Sequence, residues 1–464
     1  MDNRVEKFLT NLKDKKIALV GIGTSNLPLI KLFSKYGASV LACDKRDKNT
    51  LGENGNKAID AGATLSLGDN YIDNLDVDII FRTPGMRYYT PQLVEYRKKG
   101  VVVTSEMELF FDLCPCEIIA ITGSDGKTTT TSIIAEMLKE EGRNVYLGGN
   151  IGTPLLPQIE NINSTDIAVV ELSSFQLISM RKSADVSVIT NLAPNHLDIH
   201  KDMQEYIDAK KNILLHQNAF GKAVLNLDND ITNNLDELCR GTVYKFSRQN
   251  QVENGAYLSS DNNIIFALNG TETKIININE IKIPGMHNVE NYMTAICATW
   301  GKVSLETIKK VAKEFGGVEH RAEFVRELNG VKYYNDSIAS SPTRTASGTL
   351  SLYDKRIILI AGGYDKKISY EPLGPVIAKK VKKLILMGNT ASKIEKAVKE
   401  CNEYNSENIE IINVENMAQA VEKAYEIAQN GDIVSMSPAS ASFDLYKNFD
   451  ERGKDFKNLV QNLK

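Results

Sequence analysis

A short apolar run that ends in two glycines and a Lys-Thr pair constrains the fold of this chain more than any other feature. Residues Ile118 to Ile121 have the pattern of a buried strand, Gly123 and Gly126 follow, and apolar residues then recur at helical spacing from Ile133 to Leu138. In a strand, glycine turn and helix of this order, the backbone N–H groups and the helix N-terminus bind phosphate groups. The sequence therefore predicts an α/β domain with a nucleotide site at this turn.

The loop is a shortened form of the usual phosphate-binding motif. The usual pattern has a glycine five positions before Gly126, where this chain has Ile121, so the motif becomes Thr-Gly-x-x-Gly-Lys-Thr. We expect Lys127 to reach the β- and γ-phosphates and the Thr128 hydroxyl to help hold Mg²⁺. A glycine-rich turn without a ligand is the alternative interpretation.

Length and composition indicate a globular protein of several domains. A chain of 464 residues is too long for one hydrophobic core, and about two to four domains are expected. The net charge of −4 gives no bulk attraction to nucleic acid or to an anionic membrane, so neither partner is expected. The six cysteines lack the spacing of metal ligands, and the N-terminal residues lack the apolar core of a signal peptide. We therefore expect a reduced, cytosolic protein.

The first third of the chain has the pattern of half a dinucleotide-binding fold. A strand from Lys16 leads into Gly21 and Gly23, and a second strand ends in Asp44. The third glycine of the motif is replaced by Asn26, so NAD is only one interpretation, and any diphosphate ligand would suit the turn equally well. A later strand ends in a Pro-Gly turn bordered by arginines, Arg82 to Arg87, which is either a ligand site or a plain tight turn.

Two further strands of the central segment end in candidate metal ligands. A buried strand ends in Glu171, where a carboxylate is the natural second ligand for Mg²⁺ in a phosphate-loop domain. The next strand leads to His196, which is either a surface imidazole or a third member of this edge together with Thr128. A helix from Met203 to Leu215 follows, and the segment after it is rich in short strands.

Strands that alternate with helices after residue 317 predict a third, largely parallel α/β domain. The fold class predicted for the whole chain is α/β in three domains: a Rossmann-like N-terminal domain, a central domain like a P-loop ATPase and a Rossmann-like C-terminal domain. The predicted limits of these domains are 1–106, 107–317 and 318–464.

Several separated motifs follow one another along the chain. They are Thr122 to Thr128, Glu171 to Gln176, Asn191 to His196, His287 to Asn291, His320-Arg321, Asn335 to Ser337 and Ser437 to Phe449. Their order is typical of the Mur ligase family, which the chain resembles over essentially its whole length. Within that family, Glu171 to Gln176 and Ser437 to Phe449 are similar to the members that add D-glutamate to UDP-N-acetylmuramoyl-L-alanine. The resemblance implies an ATP-dependent, amide-forming ligase of cytoplasmic peptidoglycan precursor synthesis, and thus a role in cell-wall biogenesis, cell shape and cell division. It also implies a UDP-substrate domain at 1–106, an ATP domain at 107–317 and an amino-acid domain at 318–464.

The resemblance also assigns the nucleotide ligands, and NAD drops out. UDP would be bound in the first domain, by Thr24, Ser25, Asp44, Lys45, Arg46, Thr83, Pro84 and Gly85. ATP would be bound by Gly123, Ser124, Asp125, Gly126, Lys127, Thr128, Thr129, Asn288, Asn291, Arg321 and Asp336.

By the same resemblance, two Mg²⁺ ions are expected at the ATP site. Thr128 and Glu171 would hold one ion and His196 the second, and Lys210 matches a lysine that the family carries as a carbamate, whose negative charge would support that metal. The implied catalytic residues are therefore Lys127, His196 and Lys210.

Asn150 would contact the muramoyl-alanine end of the substrate, and Ser173 is a further expected substrate contact. Lys366, Ser442 and Phe449 would position D-glutamate. Where the family often has a lysine, this chain has Ile338, and Ser340 is the expected replacement contact for the amino acid.

The implied mechanism is attack of the substrate carboxylate on the γ-phosphate of ATP, followed by attack of the D-glutamate amine on the acyl phosphate. The expected protein is a monomer. Three alternatives stay open on the sequence alone: another ligase of the superfamily, such as a folylpolyglutamate synthase or a different Mur step; a phosphate-loop kinase or regulatory NTPase; and an NAD-dependent enzyme.

Overall fold

The structure, a computed structural model, describes residues 1–194 and 199–464. Contacts divide the chain into two compact units, one formed by Met1–Glu280 and Val289–Ala312 and the other by Ile281–Asn288 and Lys313–Lys464. The described residues form three β-sheets, of which two lie in the first unit and one in the second. In the described ranges, no helix combines the length and the apolar character that crossing a membrane would require.

The first sheet of the first unit is parallel, with strand order β3-β2-β1-β4-β5. Its order changes direction beside β1, which places a ligand crevice at the carboxyl ends of β1 and β4. The strands are β1 (Lys16–Val20), β2 (Ser39–Asp44), β3 (Thr64–Leu67), β4 (Ile79–Arg82) and β5 (Val102–Thr104). The accompanying helices are α1 (Asn3–Thr10), α2 (Leu27–Lys35), α3 (Lys48–Leu51), α4 (Glu53–Asp60), α5 (Pro91–Lys98) and α6 (Glu106–Leu113).

The second sheet has the order β14-β13-β12-β11-β10-β9-β6-β8-β7, and β13 is antiparallel to both of its neighbours, β12 and β14. The central strand β6 is apolar from Ile118 to Ile121 and buried from Ile118 to Thr122, as expected of an inner strand of a parallel sheet. The strands are β6 (Glu117–Thr122), β7 (Val145–Gly149), β8 (Ile167–Glu171), β9 (Val186–Ile189), β10 (Lys222–Asn226), β11 (Thr242–Ser247), β12 (Gly255–Leu258), β13 (Asn263–Leu268) and β14 (Thr271–Asn277). The helices are α7 (Lys127–Glu140), α8 (Ser174–Leu177), α9 (Met203–Leu215), α10 (Asp230–Asn233), α11 (Met286–Thr299) and α12 (Leu305–Glu314).

The sheet of the second unit has the order β15-β16-β20-β17-β18-β19, and only the β15–β16 pair is antiparallel among its described pairs. A π-helical turn at Arg344–Thr349 precedes β17. The strands are β15 (Glu323–Leu328), β16 (Val331–Asn335), β17 (Ile357–Ala361), β18 (Val381–Leu386), β19 (Glu410–Asn413) and β20 (Ile433–Met436), and the helices are α13 (Gly374–Lys380), α14 (Ala391–Lys399), α15 (Met417–Ile427) and α16 (Phe449–Asn462).

Three α/β parts with largely parallel sheets confirm the predicted fold class. Helix α9 begins and ends at the residues that the sequence predicted. The domain limits 1–106, 107–317 and 318–464 stay a prediction.

Candidate functional site

Two glycines give the loop between β6 and α7 its shape. Gly123 has φ +150°, and a Cβ atom there would lie 1.9 Å from the hydroxyl of Thr190. Gly126 has φ +77°, and its Cβ would lie 2.6 Å from the side-chain oxygen of Asn291. Only glycine fits such close approaches at these angles. The first hydrogen bond of the helix runs from Thr130 N to Gly126 O. The N–H groups of the first turn of α7 are therefore not bonded within the helix, and such groups can bind an anion.

The loop side chains are held by the segment that follows β9. Ser124 Oγ donates a hydrogen bond of 2.8 Å to the carbonyl of Ala193, and Asp125 N donates one of 3.0 Å to the side chain of Asn191. Lys127 Nζ donates to the carbonyls of Gly123 and Ser124, each at 2.9 Å. The cation thus lies across the loop that would hold the phosphates.

Glu171 lies beside this loop because β8 pairs with β6, with Glu171 opposite Ile121. The carboxylate belongs to a residue that is 1% exposed, and its Oε1 accepts a hydrogen bond of 2.7 Å from the amide of Asn150. Its Oε2 is buried and has no hydrogen-bond partner among the described residues. Burying a carboxylate oxygen without a hydrogen bond destabilises the folded protein unless a cation binds that oxygen. Glu171 therefore fits the role of a Mg²⁺ ligand.

Lys210 lies directly under the loop, although lysines of helix α9 appear in the sequence as ordinary surface residues. It is 2% exposed, and its Nζ donates to Thr122 Oγ1 and to the carbonyl of Gly123, each at 2.9 Å. Burial, and then the charge of Lys127, lowers the pKa of Lys210 well below its usual value. The structure therefore brings Lys210 to the predicted nucleotide site.

The predicted metal ligands lie only partly within the described residues. His196 lies outside the described residues. Within residues 1–194 and 199–464, no group of three or more His, Cys, Asp or Glu side chains is arranged to hold a metal. The predicted ligands Thr128 and Lys210 are not of those types, so this finding leaves the predicted set untested.

The turns of the first domain meet at the carboxyl ends of β1, β2 and β4. Gly21 has φ +91°, and its Cβ would lie 2.8 Å from the methyl group of Thr83. Asp44 accepts hydrogen bonds from Arg46 Nη2 at 2.8 Å and from Ile22 N at 2.9 Å, and these bonds, chiefly those from Arg46, lower the pKa of Asp44 to about 2. Asp44 and Arg46 thus shape the turn themselves. Thr24, Lys45 and Gly85 are exposed on the same part of the fold, with Ser25 and Pro84 partly so.

Asn26, which replaces the third glycine of the dinucleotide motif, is 1% exposed. Its amide donates to the carbonyls of Val20 and Gly21, at 2.9 and 3.2 Å. The side chain therefore closes the turn from inside, where a glycine would leave space.

The motif after Glu171 begins helix α8. Ser173 is the N-cap and forms a capping box with Gln176, whose Oε1 accepts from Ser173 N at 2.9 Å. Its substrate contact stays a prediction.

In the second unit, Asp336 is buried and holds three separate segments together. Its carboxylate accepts hydrogen bonds from Ala322 N and Ser437 Oγ, each at 3.2 Å, and from the hydroxyl of Thr349. Burial raises the pKa of this carboxyl group. Arg321 N donates to the carbonyl of Val318 at 2.9 Å.

Two predicted contacts for the amino acid lie close together in the second unit. Lys366 Nζ lies 3.4 Å from the carbonyl of Ser340 and 3.5 Å from its hydroxyl. Ser442 is 3% exposed, whereas the ring of Phe449 is exposed at the start of α16. Ile338, which replaces the lysine that is frequent in the family, donates from its N to the carbonyl of His320 at 3.1 Å. The backbone at Ile338 is thus hydrogen-bonded to the His-Arg motif.

Asn291 lies against the phosphate loop, where its side-chain oxygen accepts a hydrogen bond of 3.1 Å from Thr130 Oγ1. Asn288, three residues earlier on α11, belongs to the second unit, and its amide donates to the carbonyl of Pro284 at 2.6 Å.

The sequence interpretation missed a buried arginine of the second unit. Arg452 is 1% exposed, and its guanidinium donates to the carbonyls of Ser337, Ser440 and Ala441 at 2.9 to 3.1 Å. Burial lowers the pKa of Arg452 to about 10. The available signal was a charged residue on the apolar stripe of α16, between Phe449 and Phe456.

Comparisons with known proteins find relatives that match the full length of this chain. The profile of the Mur ligase middle domain matches residues 121–299, and that of the Mur ligase glutamate ligase domain matches residues 320–440. The UDP-N-acetylmuramoylalanine–D-glutamate ligase of Acetivibrio thermocellus is 52% identical over 466 residues, which cover 100% of both chains. The chain belongs to the Mur ligase family. A protein of the same name from Clostridium acetobutylicum is 50% identical, again over 100% of both chains.

Solved Mur ligase structures share the fold at low sequence identity. MurF from Acinetobacter baumannii matches with a TM-score of 0.59 and 16% identity, over 98% of both chains. The UDP-N-acetylmuramate-alanine ligase of Thermotoga maritima matches with a TM-score of 0.58 and 18% identity, over 97% of this chain and 100% of that one. These likenesses concern the fold alone.

Family membership decides between the classes of enzyme that the sequence left open. As a Mur ligase, the chain is an ATP-dependent enzyme that forms an amide bond. The kinase, NTPase and NAD-dependent interpretations are therefore wrong.

Proposed function

We propose that this enzyme adds D-glutamate to UDP-N-acetylmuramoyl-L-alanine in the cytoplasm, through an acyl-phosphate intermediate. The observation that carries the proposal is the identity of about half of all residues, over the full chain, with ligases of that name. The glycine loop at Gly123 and Gly126, with buried Glu171 and Lys210 beside it, supports a nucleotide site in the first unit.

In the first step, the alanyl carboxylate of the UDP-linked substrate attacks the γ-phosphate of ATP, and ADP leaves. The barrier comes mainly from negative charge on the reacting groups, so charge neutralisation matters more than a protein nucleophile. Lys127 would turn from the loop carbonyls that it now contacts to the γ-phosphate. The N–H groups of the first turn of α7 would bind the remaining phosphate oxygens. Asn288, Asn291, Arg321 and Asp336 are the further proposed ATP contacts.

Thr128 and Glu171 would hold one Mg²⁺ and His196 a second, and bound Mg²⁺ supplies positive charge at the phosphates. The buried, unpartnered Oε2 of Glu171 supports its role as a ligand. We also propose that Lys210 is carbamylated. The amine is buried beside the loop, and burial favours the neutral form that adds CO₂.

In the second step, the D-glutamate amine attacks the acyl phosphate, and inorganic phosphate leaves as the amide forms. Lys366 would bind a carboxylate of D-glutamate, with Ser340 beside it and with Ser442 and Phe449 completing the contacts. Asn150 and Ser173 would contact the muramoyl-alanine end. The UDP group would occupy the turns at Thr24-Ser25, Asp44 to Arg46 and Thr83 to Gly85. We take the enzyme to act as a monomer with the three domains that the sequence predicts.

The proposal is tested by release of ADP and formation of an amide in the purified enzyme. UDP-N-acetylmuramoyl-L-alanine, ATP and Mg²⁺ are supplied with labelled D-glutamate, L-glutamate, L-alanine or a diamino acid. We expect a labelled product with D-glutamate alone. Equal labelling with another amino acid would assign a different Mur step, and ADP release independent of any amino acid would contradict ligation.

A further inference from the structure

Arg82, the last residue of β4, has a buried guanidinium that contacts both its own turn and two residues of the central part of the first unit, Phe175 and Ser179. It is 1% exposed. Its Nη2 donates to the carbonyl of Phe175 at 3.1 Å and to Ser179 Oγ at 2.5 Å, and its Nη1 donates to the carbonyl of Met86 at 3.2 Å. The sequence suggested a turn whose arginines border a ligand, but this arginine binds protein.

The positions of these partners give Arg82 a role between two binding segments. Thr83 follows it directly and packs against Gly21 at the ends of β4 and β1. Phe175 belongs to α8, which begins three residues after Glu171. The guanidinium therefore joins the turn proposed for UDP to the segment that follows the proposed metal ligand.

A buried cation is a costly way to join two segments. Removing a guanidinium from water is unfavourable unless its donors are satisfied. Here two carbonyls and a hydroxyl accept from the two Nη atoms, while Nε is buried without a hydrogen-bond partner among the described residues. An apolar side chain would bury the same surface, but it would not fix the orientation of one segment relative to the other. The planar donors of arginine fix both distance and angle.

The other arginine of the turn is a natural comparison. Arg87 forms an ion pair of 3.3 Å with Glu205 of α9, but the two side chains are 54% and 23% exposed. Exposed pairs of this kind contribute little, because solvent screens them. The two arginines therefore border the same turn with very different burial.

We propose that Arg82 is a positioning residue that fixes the Thr83 to Gly85 turn relative to the Glu171 segment, so that a UDP-linked carboxylate is held at the correct distance from ATP. This inference rests on the proposed function. Arg82 acts through the turn, and it has no contact with the reacting atoms in the mechanism above.

The test compares three variants of the full chain: Arg82→Gln, Arg82→Lys and Arg87→Gln. For each variant, kcat, the KM for each of the three substrates and the thermal midpoint are measured. Calorimetry gives the Kd for UDP-N-acetylmuramoyl-L-alanine. We expect Arg82→Gln to raise KM and Kd for the UDP substrate by about tenfold or more and to lower kcat, because small misplacements cost large factors in rate. KM for ATP should stay within about twofold. Arg82→Lys should lie between the wild type and Arg82→Gln, and Arg87→Gln should change KM by less than about twofold.

A control for lost stability is Arg356→Gln in the second unit. Arg356 also donates to two carbonyls, those of Val381 and Ala378, so its loss should lower the thermal midpoint without a selective change in KM. A merely structural Arg82 would behave in the same way, and that result would overturn the inference, as would equal increases in KM for all substrates. If Arg82→Gln does not fold, the selective change in Arg82→Lys decides. A wild-type enzyme that fails to bind the UDP substrate would instead contradict the proposed function.

Discussion

The side-chain amide of Asn150 donates a hydrogen bond of 2.7 Å to one carboxylate oxygen of Glu171, while the other oxygen is buried without a hydrogen-bond partner in the described structure. Asn150 follows the end of β7 and Glu171 ends β8, so the pairing of two neighbouring strands creates this contact. The amide restricts the orientation of the carboxylate and leaves one oxygen for a cation.

Replacing Asn150 with alanine should weaken the use of Mg²⁺. Without the amide, the Glu171 carboxylate loses its fixed orientation, so we expect the Mg²⁺ concentration for half-maximal ADP release to rise about tenfold. Asn144→Ala, at an exposed position just before the same strand, is the control. An unchanged Mg²⁺ dependence in Asn150→Ala would contradict the role of this contact.

Lys127→Ala should abolish turnover and leave binding of the UDP substrate nearly intact. Removing the cation from the phosphate loop should lower the rate of ADP release by at least about a hundredfold. Calorimetry with UDP-N-acetylmuramoyl-L-alanine measures the binding, and Lys139→Ala on the same helix serves as control. Loss of UDP-substrate binding in Lys127→Ala would mean that the ligands are assigned to the wrong domains.

Lys210→Arg should remove the carbamate that we propose for the wild type. Arginine keeps a cation at this buried position but cannot add CO₂ to form the same group, so we expect activity to fall about a hundredfold. In ¹³C-bicarbonate, NMR should detect a carbamate carbon in the wild type and in Lys211→Arg, but not in Lys210→Arg. A wild-type spectrum without this signal counts against carbamylation.

Lys366→Met should raise KM for D-glutamate while leaving KM for ATP unchanged. Loss of a charged hydrogen bond to a carboxylate corresponds to an increase of roughly tenfold to a hundredfold. Lys367→Met, at the next position, is the matched control. The role of Lys366 is refuted if the two variants have the same KM for D-glutamate.

Glu106→Gln should flatten the pH dependence of unfolding between about pH 4.5 and 7. Burial raises the pKa of Glu106 to about 7 from its ordinary value of 4.5. In that window the folded protein keeps a proton that the unfolded chain releases, so the free energy of unfolding falls as pH rises, by up to roughly 3 kcal/mol. Above about pH 7 the loss is complete.

Glutamine suits this test because one oxygen of Glu106 accepts both hydrogen bonds, from Leu155 N at 2.9 Å and Leu156 N at 2.8 Å. Urea unfolding at several pH values measures the effect. Glu95→Gln is the control, since Lys98 lowers the pKa of that exposed carboxylate. A slope that is the same in the wild type and in Glu106→Gln would refute the assignment.

Local patterns predicted the elements that depend on nearby residues. Helix α9 has the predicted limits, and the glycine turn lies between β6 and α7 as its sequence indicated. Local patterns did not predict the position of Lys210. Helical spacing alone suggests a solvated lysine, and only the resemblance to a family placed it at the site, where it contacts Thr122, which is 88 positions earlier.

Arg82 and Arg452 could not be assigned from the sequence for the same reason. Arg82 reaches Ser179, which is 97 positions away, and Arg452 reaches Ser337, which is 115 positions away. Each is a charged residue in an apolar pattern. Such a pattern indicates that the charge is buried, but it does not predict which residue the charge contacts.

The sequence by itself determined the alternation of strands and helices, the phosphate loop and the family, because periodicity, glycine conformation and motif order are local properties of a chain. Only the tertiary structure decided which buried charges meet. Lys210 lies under the loop, Asn150 holds Glu171 and Arg82 joins β4 to α8 because strand pairing brings distant residues together. The physical reason is that a buried charge must find its partners in space, and the chain fixes those positions only when it folds.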